Sequence, residues 1–155
     1  VVSDGTDEAQ YRAALWIREN SPTDALVLAN WDRGHLIQAV AERNVVWSGQ
    51  YVPSIGYVIS KAMYSTNESG TLYYFAQLGS PEYVFVVQGT LIYDPSNNYI
   101  SYITGIGSPP PNFNFAKVPQ TTLYRMLYDP DSLKDFRLVF YTGGVYVFYV
   151  NYSTT

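Results

Sequence analysis

The sequence predicts a single mixed α/β (α+β) domain over 1–155, with a mixed sheet, helices mainly in the N-terminal half and a β-meander or hairpin at the C-terminal end. Three observations carry this reading. Short apolar runs alternate with segments of helical spacing as far as Val87. Beyond Thr122 the chain turns to β-branched and aromatic residues, with Gly143-Gly144 placed as a two-residue hairpin turn. Apolar residues make up 47% of 155 positions and charged ones 14%, which supports a buried core rather than disorder.

Thr6 is placed to cap a helix that starts near Asp7 with an acidic first turn, and Tyr11, Ala14 and Leu15 share one of its faces. Asn20-Ser21-Pro22 stops it, and Ala25 to Ala29 reads as a short strand covered on both faces. Asp32 then sits as N-cap of a helix that turns Leu36, Ile37 and Val40 inward, and Asn44 to Trp47 completes a βαβ-like unit. Pro53 opens a helix to Tyr64 with Ile55, Val58, Ile59 and Met63 at helical spacing, and Thr66 caps another that ends at Gly79-Ser80-Pro81.

Tyr83 to Val87 is the clearest buried strand, and Asp94-Pro95-Ser96-Asn97 is a turn. The stretch from there to Thr104 fits either a short helix or a strand. Gly105 to Pro119, with three consecutive prolines, reads as a long loop with extended stretches. Thr122 to Tyr128, Phe136 to Thr142 and Val145 to Asn151 read as strands.

The net charge is −4, the pI about 4.8, and the nine basic residues are scattered singly, which is no nucleic-acid footprint. With no cysteine, disulfides and Cys-based zinc sites are excluded. No run reaches the roughly 18 to 20 apolar residues of a membrane-spanning helix. Sixteen tyrosines fit an amphipathic core and sheet surface, or else an aromatic sugar-binding or lipid-facing surface. Because the chain opens Val1-Val2-Ser3 rather than with Met, it is expected to be part of something longer.

His35 is the only histidine, and no Gly-x-Ser-x-Gly elbow or phosphate-binding Gly-rich loop accompanies it, so a self-contained enzyme is not expected. The junction Asn30-Trp31-Asp32-Arg33-Gly34-His35 lies just past the carboxyl end of a strand, where α/β sheets bind ligands. Trp31 offers an indole N–H and a flat face, Asp32 a charged acceptor, and Asn30 a donor and an acceptor, together able to grip a small hydroxyl-bearing group. A purely structural account competes, in which Asp32 caps the helix, Trp31 fills core, Gly34 permits close packing and Arg33 is solvated. His35 reads as a packed or surface residue.

This junction resembles the Trp-Trp-Asp-Tyr-Gly motif that opens the soluble C-terminal domain of oligosaccharyltransferase catalytic subunits. The segment SPTDALVLANWDRGHLIQAVAERNVV matches that region in layout. ISKAMYSTNESGTLYYFAQLGSPEYVFVV and TTLYRMLYDPDSLKDFRLVFYTGGVYVFYVNY are similar to the helices, strands and closing hairpin that follow. Trp31, Asp32 and Gly34 stand at the second, third and fifth motif positions, while Asn30 replaces the first Trp and Arg33 replaces Tyr.

The resemblance implies an extracytoplasmic acceptor-recognition domain of a membrane-bound archaeal-type enzyme that moves a glycan from a lipid carrier to Asn of Asn-x-Ser/Thr. Trp31 and Asp32 would hold the +2 hydroxyl, with the Asn30 amide standing in for an indole donor. Arg33 would pair with Asp32 or contact an anionic ligand. The family's second motif, Asp-x-x-Lys-x-x-x-Met/Ile, falls at Asn98, Ser101 and Gly105, or in another register brings Ile103 or Ile106 forward.

Partners implied are an acceptor polypeptide and a lipid-linked oligosaccharide, with no nucleic acid. The divalent metal (Mn or Mg) and the chemistry would reside in a membrane region, this piece being inactive alone. The alternative is a degenerate, non-catalytic paralogue whose domain binds or scaffolds. Asn67-Glu68-Ser69 and Asn151-Tyr152-Ser153 are themselves sequons, compatible with exposure outside the cell.

Overall fold

The structure, a computed structural model, describes residues 7–154. Helix α1 spans Asp7–Asn20 with Asp7 and Glu8 in its first turn. The expected cap Thr6 lies outside the described residues. The buried stripe of α1 is Ala9, Ala13, Ala14 and Ile17, whereas Tyr11 is half exposed. Small alanines let the helix lie close to the sheet, and the tyrosine keeps its hydroxyl in water instead.

Strand β1 (Leu26–Leu28) leads through a 3-10 turn, Trp31–Arg33, into a short helix α2 (Gly34–Leu36) that continues as a π turn, Ile37–Ala41. Strand β2 (Asn44–Val45) then pairs parallel to β1, completing the expected βαβ unit. Arg43 locks this return. It is 8% exposed, and its guanidinium donates to the Ser21 hydroxyl and to the carbonyls of Arg18, Ser21 and Ala41.

Helix α3 (Pro53–Met63) carries Pro at its first turn, as expected. Helix α4 (Glu68–Gln77) is capped by Asn67 rather than by Thr66. The Asn67 Oδ1 accepts the Gly70 N–H at 2.7 Å, the geometry of an N-cap side chain reaching the third helical residue. Strand β3 (Tyr83–Val87) is buried at every position. Beyond it, β4 (Leu91–Asp94) and β5 (Tyr99–Tyr102) form a separate hairpin around the Pro95–Asn97 turn, so the segment that fitted either helix or strand is a strand.

Residues 122–128 correct the expectation of a strand. They form helix α5 (Thr122–Tyr128), capped by the Thr121 hydroxyl, which accepts from the Tyr124 N–H. Thr122, Leu123, Met126 and Leu127 then fall on one buried helical face, and burial of that face outweighs the β preference of the threonine and tyrosines. The C-terminal β structure is therefore a hairpin rather than a meander: β6 (Phe136–Thr142) and β7 (Val145–Val150), joined through Gly143 and Gly144 at φ +50° and +85°.

The five-stranded sheet runs β2-β1-β3-β7-β6, parallel among β2, β1 and β3 and antiparallel from β3 through β7 to β6. It is a mixed sheet, as expected. Tyr83, Phe85 and Val87 face α1 and the 34–41 helical segment, together with Val27, Ile37, Val145 and Val147. Val84 and Val86 face the other way, into a larger core with Leu28, Ile59, Phe75, Leu123, Met126, Phe136 and Phe148. Helices on both faces explain why β3 reads as continuously apolar. No helix among the described residues is long and apolar enough to cross a membrane.

Candidate functional site

The chain leaves β1 toward β2 on one side, while β3 lies on the other, so the carboxyl ends of β1 and β3 flank a point where the strand order reverses. Crevices at such points are the usual ligand sites of open sheets. Asn30 stands just past β1 at this crevice and is 3% exposed. Its Oδ1 accepts the Ile106 N–H at 3.0 Å and its Nδ2 donates to the Thr104 carbonyl at 3.1 Å. The amide expected to stand in for an indole donor is thus engaged at both ends, as a clamp on the 104–106 backbone.

Gly105 lies inside that clamp. It adopts φ +109°, and a Cβ there would fall 2.1 Å from Asn30 Oδ1 and 2.9 Å from Trp31 Cδ1. Only glycine fits, on grounds of both space and backbone conformation. Ile103 and Ile106 pack beside Asn30 and Arg33, with no room for a water molecule between them. Of the second-motif candidates, Gly105 and the alternative-register Ile103 and Ile106 therefore meet the junction. Asn98 and Ser101 do not: Asn98 closes the β4–β5 turn at φ +49° and lines a separate hollow with Tyr99 and Phe115, while Ser101 pairs with Ile92 within the hairpin.

Trp31 is half-buried and meets Tyr51 edge-on, with ring centroids 6.5 Å apart, and Tyr51 also lies against Trp47 at 5.5 Å. The Trp47 indole is satisfied, donating to the Ala29 carbonyl at 2.8 Å. The Trp31 Nε1 is not: it is shielded from solvent and is the only buried side-chain nitrogen or oxygen without a hydrogen-bond partner among the described residues. An orphaned buried donor is disfavoured by roughly 1–3 kcal/mol, so such atoms mark places where a partner can arrive.

Asp32 does not cap the helix. It lies inside the 3-10 turn, 42% exposed at its side chain, and its Oδ1 accepts from Arg33 Nη1 at 2.8 Å. Arg33 is not simply solvated, since its Nε also reaches Gln10 Oε1 of α1 at 3.2 Å. Gly34 is required by contact alone: a Cβ would sit 2.1 Å from Ser48 Cβ and 2.6 Å from the Trp47 carbonyl. His35 is an exposed residue beside Gly49.

The junction thus holds one buried unpaired donor, one exposed carboxylate and an aromatic cluster of Trp31, Tyr51 and Trp47. Sequence reasoning missed Tyr51 and the contact of Gln10 with Arg33. Tyr51 stands 20 positions from Trp31 and Gln10 stands 23 from Arg33, separations that hid both contacts. The described residues contain no group of three His, Cys, Asp or Glu able to hold a metal ion.

The chain is thus a mixed α+β domain whose Asn30–Gly34 junction lies just past the carboxyl end of β1, at the switch point of its sheet. Solved structures place that fold: the C-terminal globular domain of an oligosaccharyltransferase from Archaeoglobus fulgidus superimposes with TM-score 0.68 at 23% identity, covering 90% of this chain and 95% of that one. A second such domain from the same organism gives TM-score 0.64 at 22% identity over 96% and 98% of the two chains. A structure of an A. fulgidus oligosaccharyltransferase tethered to an acceptor peptide containing the NVT sequon gives 0.58 at 18% identity, covering 88% of this chain and 24% of that one.

No family model matches the chain. Curated proteins do: the dolichyl-diphosphooligosaccharide–protein glycosyltransferase subunit STT3B of Oryza sativa is 32% identical over 94 residues, 57% of this chain, and subunit stt-3 of Caenorhabditis elegans is 34% identical over 82 residues, 50% of this chain. The matched part spans only 12% and 10% of those proteins. In fold the chain is similar to the C-terminal globular domain of A. fulgidus oligosaccharyltransferases, and in sequence to a part of the STT3 subunits.

Proposed function

We propose that this chain is the acceptor-recognition domain of an oligosaccharyltransferase, displayed on the extracytoplasmic face of a cell membrane, and that Trp31 and Asp32 hold the hydroxyl of Asn-x-Ser/Thr. The observation that carries the reading is the orphaned Trp31 indole N–H, with the exposed carboxylate of Asp32 on the next residue of the chain. A hydroxyl is the group that matches both, since its oxygen accepts from the indole and its proton is donated to the carboxylate. The Arg33 guanidinium engages only Oδ1 of Asp32, which leaves the second carboxylate oxygen for that bond. An acceptor with alanine in place of threonine leaves the indole orphaned, a loss of about 1–3 kcal/mol, or roughly 5-fold to 150-fold in affinity.

In this proposal the chemistry belongs to a membrane region outside this chain, which binds lipid-linked oligosaccharide and a divalent metal (Mn or Mg). The present domain contributes orientation. One observation favours a second reading, a paralogue whose domain only scaffolds: the amide at the first motif position is fully engaged by Ile106 and Thr104. Indole fluorescence and backbone-amide shifts on titration with Asn-x-Thr and Asn-x-Ala peptides separate the two. Selective, saturable binding of the threonine peptide with shifts at Trp31 and Asp32 supports acceptor recognition. Equal binding of both peptides, or none, supports scaffolding.

A further inference from the structure

Lys61, in the last turn of α3, and Lys117, in the Phe115–Gln120 turn, line one groove of about 540 Å³ between the end of α3 and the Pro-rich 105–119 loop. The chain carries a net charge of −4, and most of its cations are already engaged. Arg12, Arg18, Arg33 and Arg125 pair with carboxylates, Arg43 binds backbone carbonyls, and Arg137 lies over the Tyr149 ring. Neither Lys61 nor Lys117 has a carboxylate partner among the described residues, and no Asp or Glu lines the groove. Two cations without a carboxylate partner thus face one concave surface of an acidic protein.

The remaining walls are specific. Lys61 Nζ is held 4.8 Å from the Tyr57 ring centroid and 6.0 Å from that of Tyr74, which fixes its position. Hydrogen bonding to Tyr57 raises its pKa, so it remains fully charged at neutral pH. Phe113 also lines the groove, braced edge-on at 5.0 Å by Tyr64, whose hydroxyl donates to the Gly107 carbonyl. Asn112 adopts a left-handed backbone at φ +61° after Pro110 and Pro111, a stiff presentation of the rim. Asn114 Oδ1 accepts the Ala116 N–H, which leaves its NH₂ group available as a donor.

We propose that this groove binds an acidic sugar, a ring bearing a carboxylate such as a uronic acid. The Tyr74 and Phe113 rings supply apolar faces for the C–H face of a pyranose, the Asn112 and Asn114 amides supply donors and acceptors for its hydroxyls, and Lys61 and Lys117 receive its acid group. An acidic peptide would use the cations and leave the aromatic walls idle. The site stands on residues apart from Trp31 and Asp32, so it holds or fails independently of the acceptor reading.

The test titrates the ¹⁵N-labelled chain with a glucuronic-acid-containing disaccharide, its glucose-containing counterpart and a glutamate-rich peptide. The acidic disaccharide is expected to give saturable shifts at Lys61, Asn112, Asn114 and Lys117. The K61Q and K117Q variants each weaken it about threefold and the double variant about tenfold, magnitudes ordinary for exposed charges, while K134Q leaves it unchanged. Tighter binding of the acidic than of the neutral disaccharide completes the expected result. Equal affinity for the neutral sugar, equal or better binding of the peptide, or shifts that scatter over the surface without saturating would each overturn the proposal.

Discussion

The Asn30 Oδ1 lies 3.0 Å from the Ile106 backbone nitrogen, a hydrogen bond across 76 positions that fastens the strand-end motif to the loop beyond β5. The same amide donates to the Thr104 carbonyl, so one side chain satisfies two groups of a turn that would otherwise lie unpaired at the sheet crevice. Asn30→Ala removes both bonds and strands those backbone groups. The expected loss is about 2–4 kcal/mol of unfolding free energy, read from urea melts. Asn30→Asp retains the acceptor for Ile106 but loses the donor to Thr104, and is expected to fall between wild type and alanine.

Gly34→Ala tests whether the motif glycine is there for space. Its backbone is ordinary right-handed helix at φ −59°, so strain in the dihedral plays no part. The added methyl meets Ser48 Cβ at 2.1 Å, which forces the β2-to-α3 segment to move. A destabilisation of about 1–3 kcal/mol is expected, with amide shift changes spreading to Trp47 and Ser48.

Glu68 is a buried carboxylate whose oxygens accept the Lys134 and Asp135 backbone N–H groups at 2.7–3.2 Å, with Arg125 at 3.5 Å. It ties the start of α4 to the start of β6. Glu68→Ala leaves those backbone donors without their acceptor and removes the carboxylate beside Arg125, which keeps its bonds to Ser132, and about 3 kcal/mol of stability is expected to go with it. Glu68→Gln should keep one acceptor and lose less. Thermal melts of the two variants give that ordering directly.

Alkaline pH should unfold the chain through its tyrosines. Burial raises the pKa of Tyr64, Tyr152, Tyr83, Tyr128 and Tyr146 above the usual phenol value. The native state therefore keeps these protons at a pH where the unfolded chain releases them. Stability is full below about pH 10, the unfolded tyrosine value, and falls as pH rises toward the native values. Spectrophotometric titration near 295 nm is expected to show these five ionising together with loss of tertiary circular dichroism.

What was legible in the sequence follows from how local the determining physics is. The Tyr83 to Val87 strand, the Gly143-Gly144 turn and the Pro53 helix start are set by residues next to one another, and all three stand in the structure. The helix Thr122–Tyr128 was not legible from composition, because its face is chosen by burial in the core that also holds Leu91, Ile59 and Phe136 rather than by propensity. At the candidate site, the placement of Trp31 and Asp32 past β1 was legible. The clamp from Asn30 to Ile106 was not, since nothing in either segment announces a partner so far along the chain.

The central claim, that Trp31 and Asp32 read the acceptor hydroxyl, is tested most directly in the native full-length protein. Supplied with lipid-linked oligosaccharide and divalent metal, it is assayed for transfer to Asn-x-Thr and Asn-x-Ala peptides, with Asp32→Ala in parallel. The Asp32–Arg33 pair is exposed, so the substitution should shift stability by under about 1 kcal/mol and leave the domain folded. The account predicts transfer to the threonine peptide alone, and its loss by tenfold or more in Asp32→Ala, a loss of about 1.4 kcal/mol or more. Unchanged transfer and unchanged threonine preference in Asp32→Ala would contradict it.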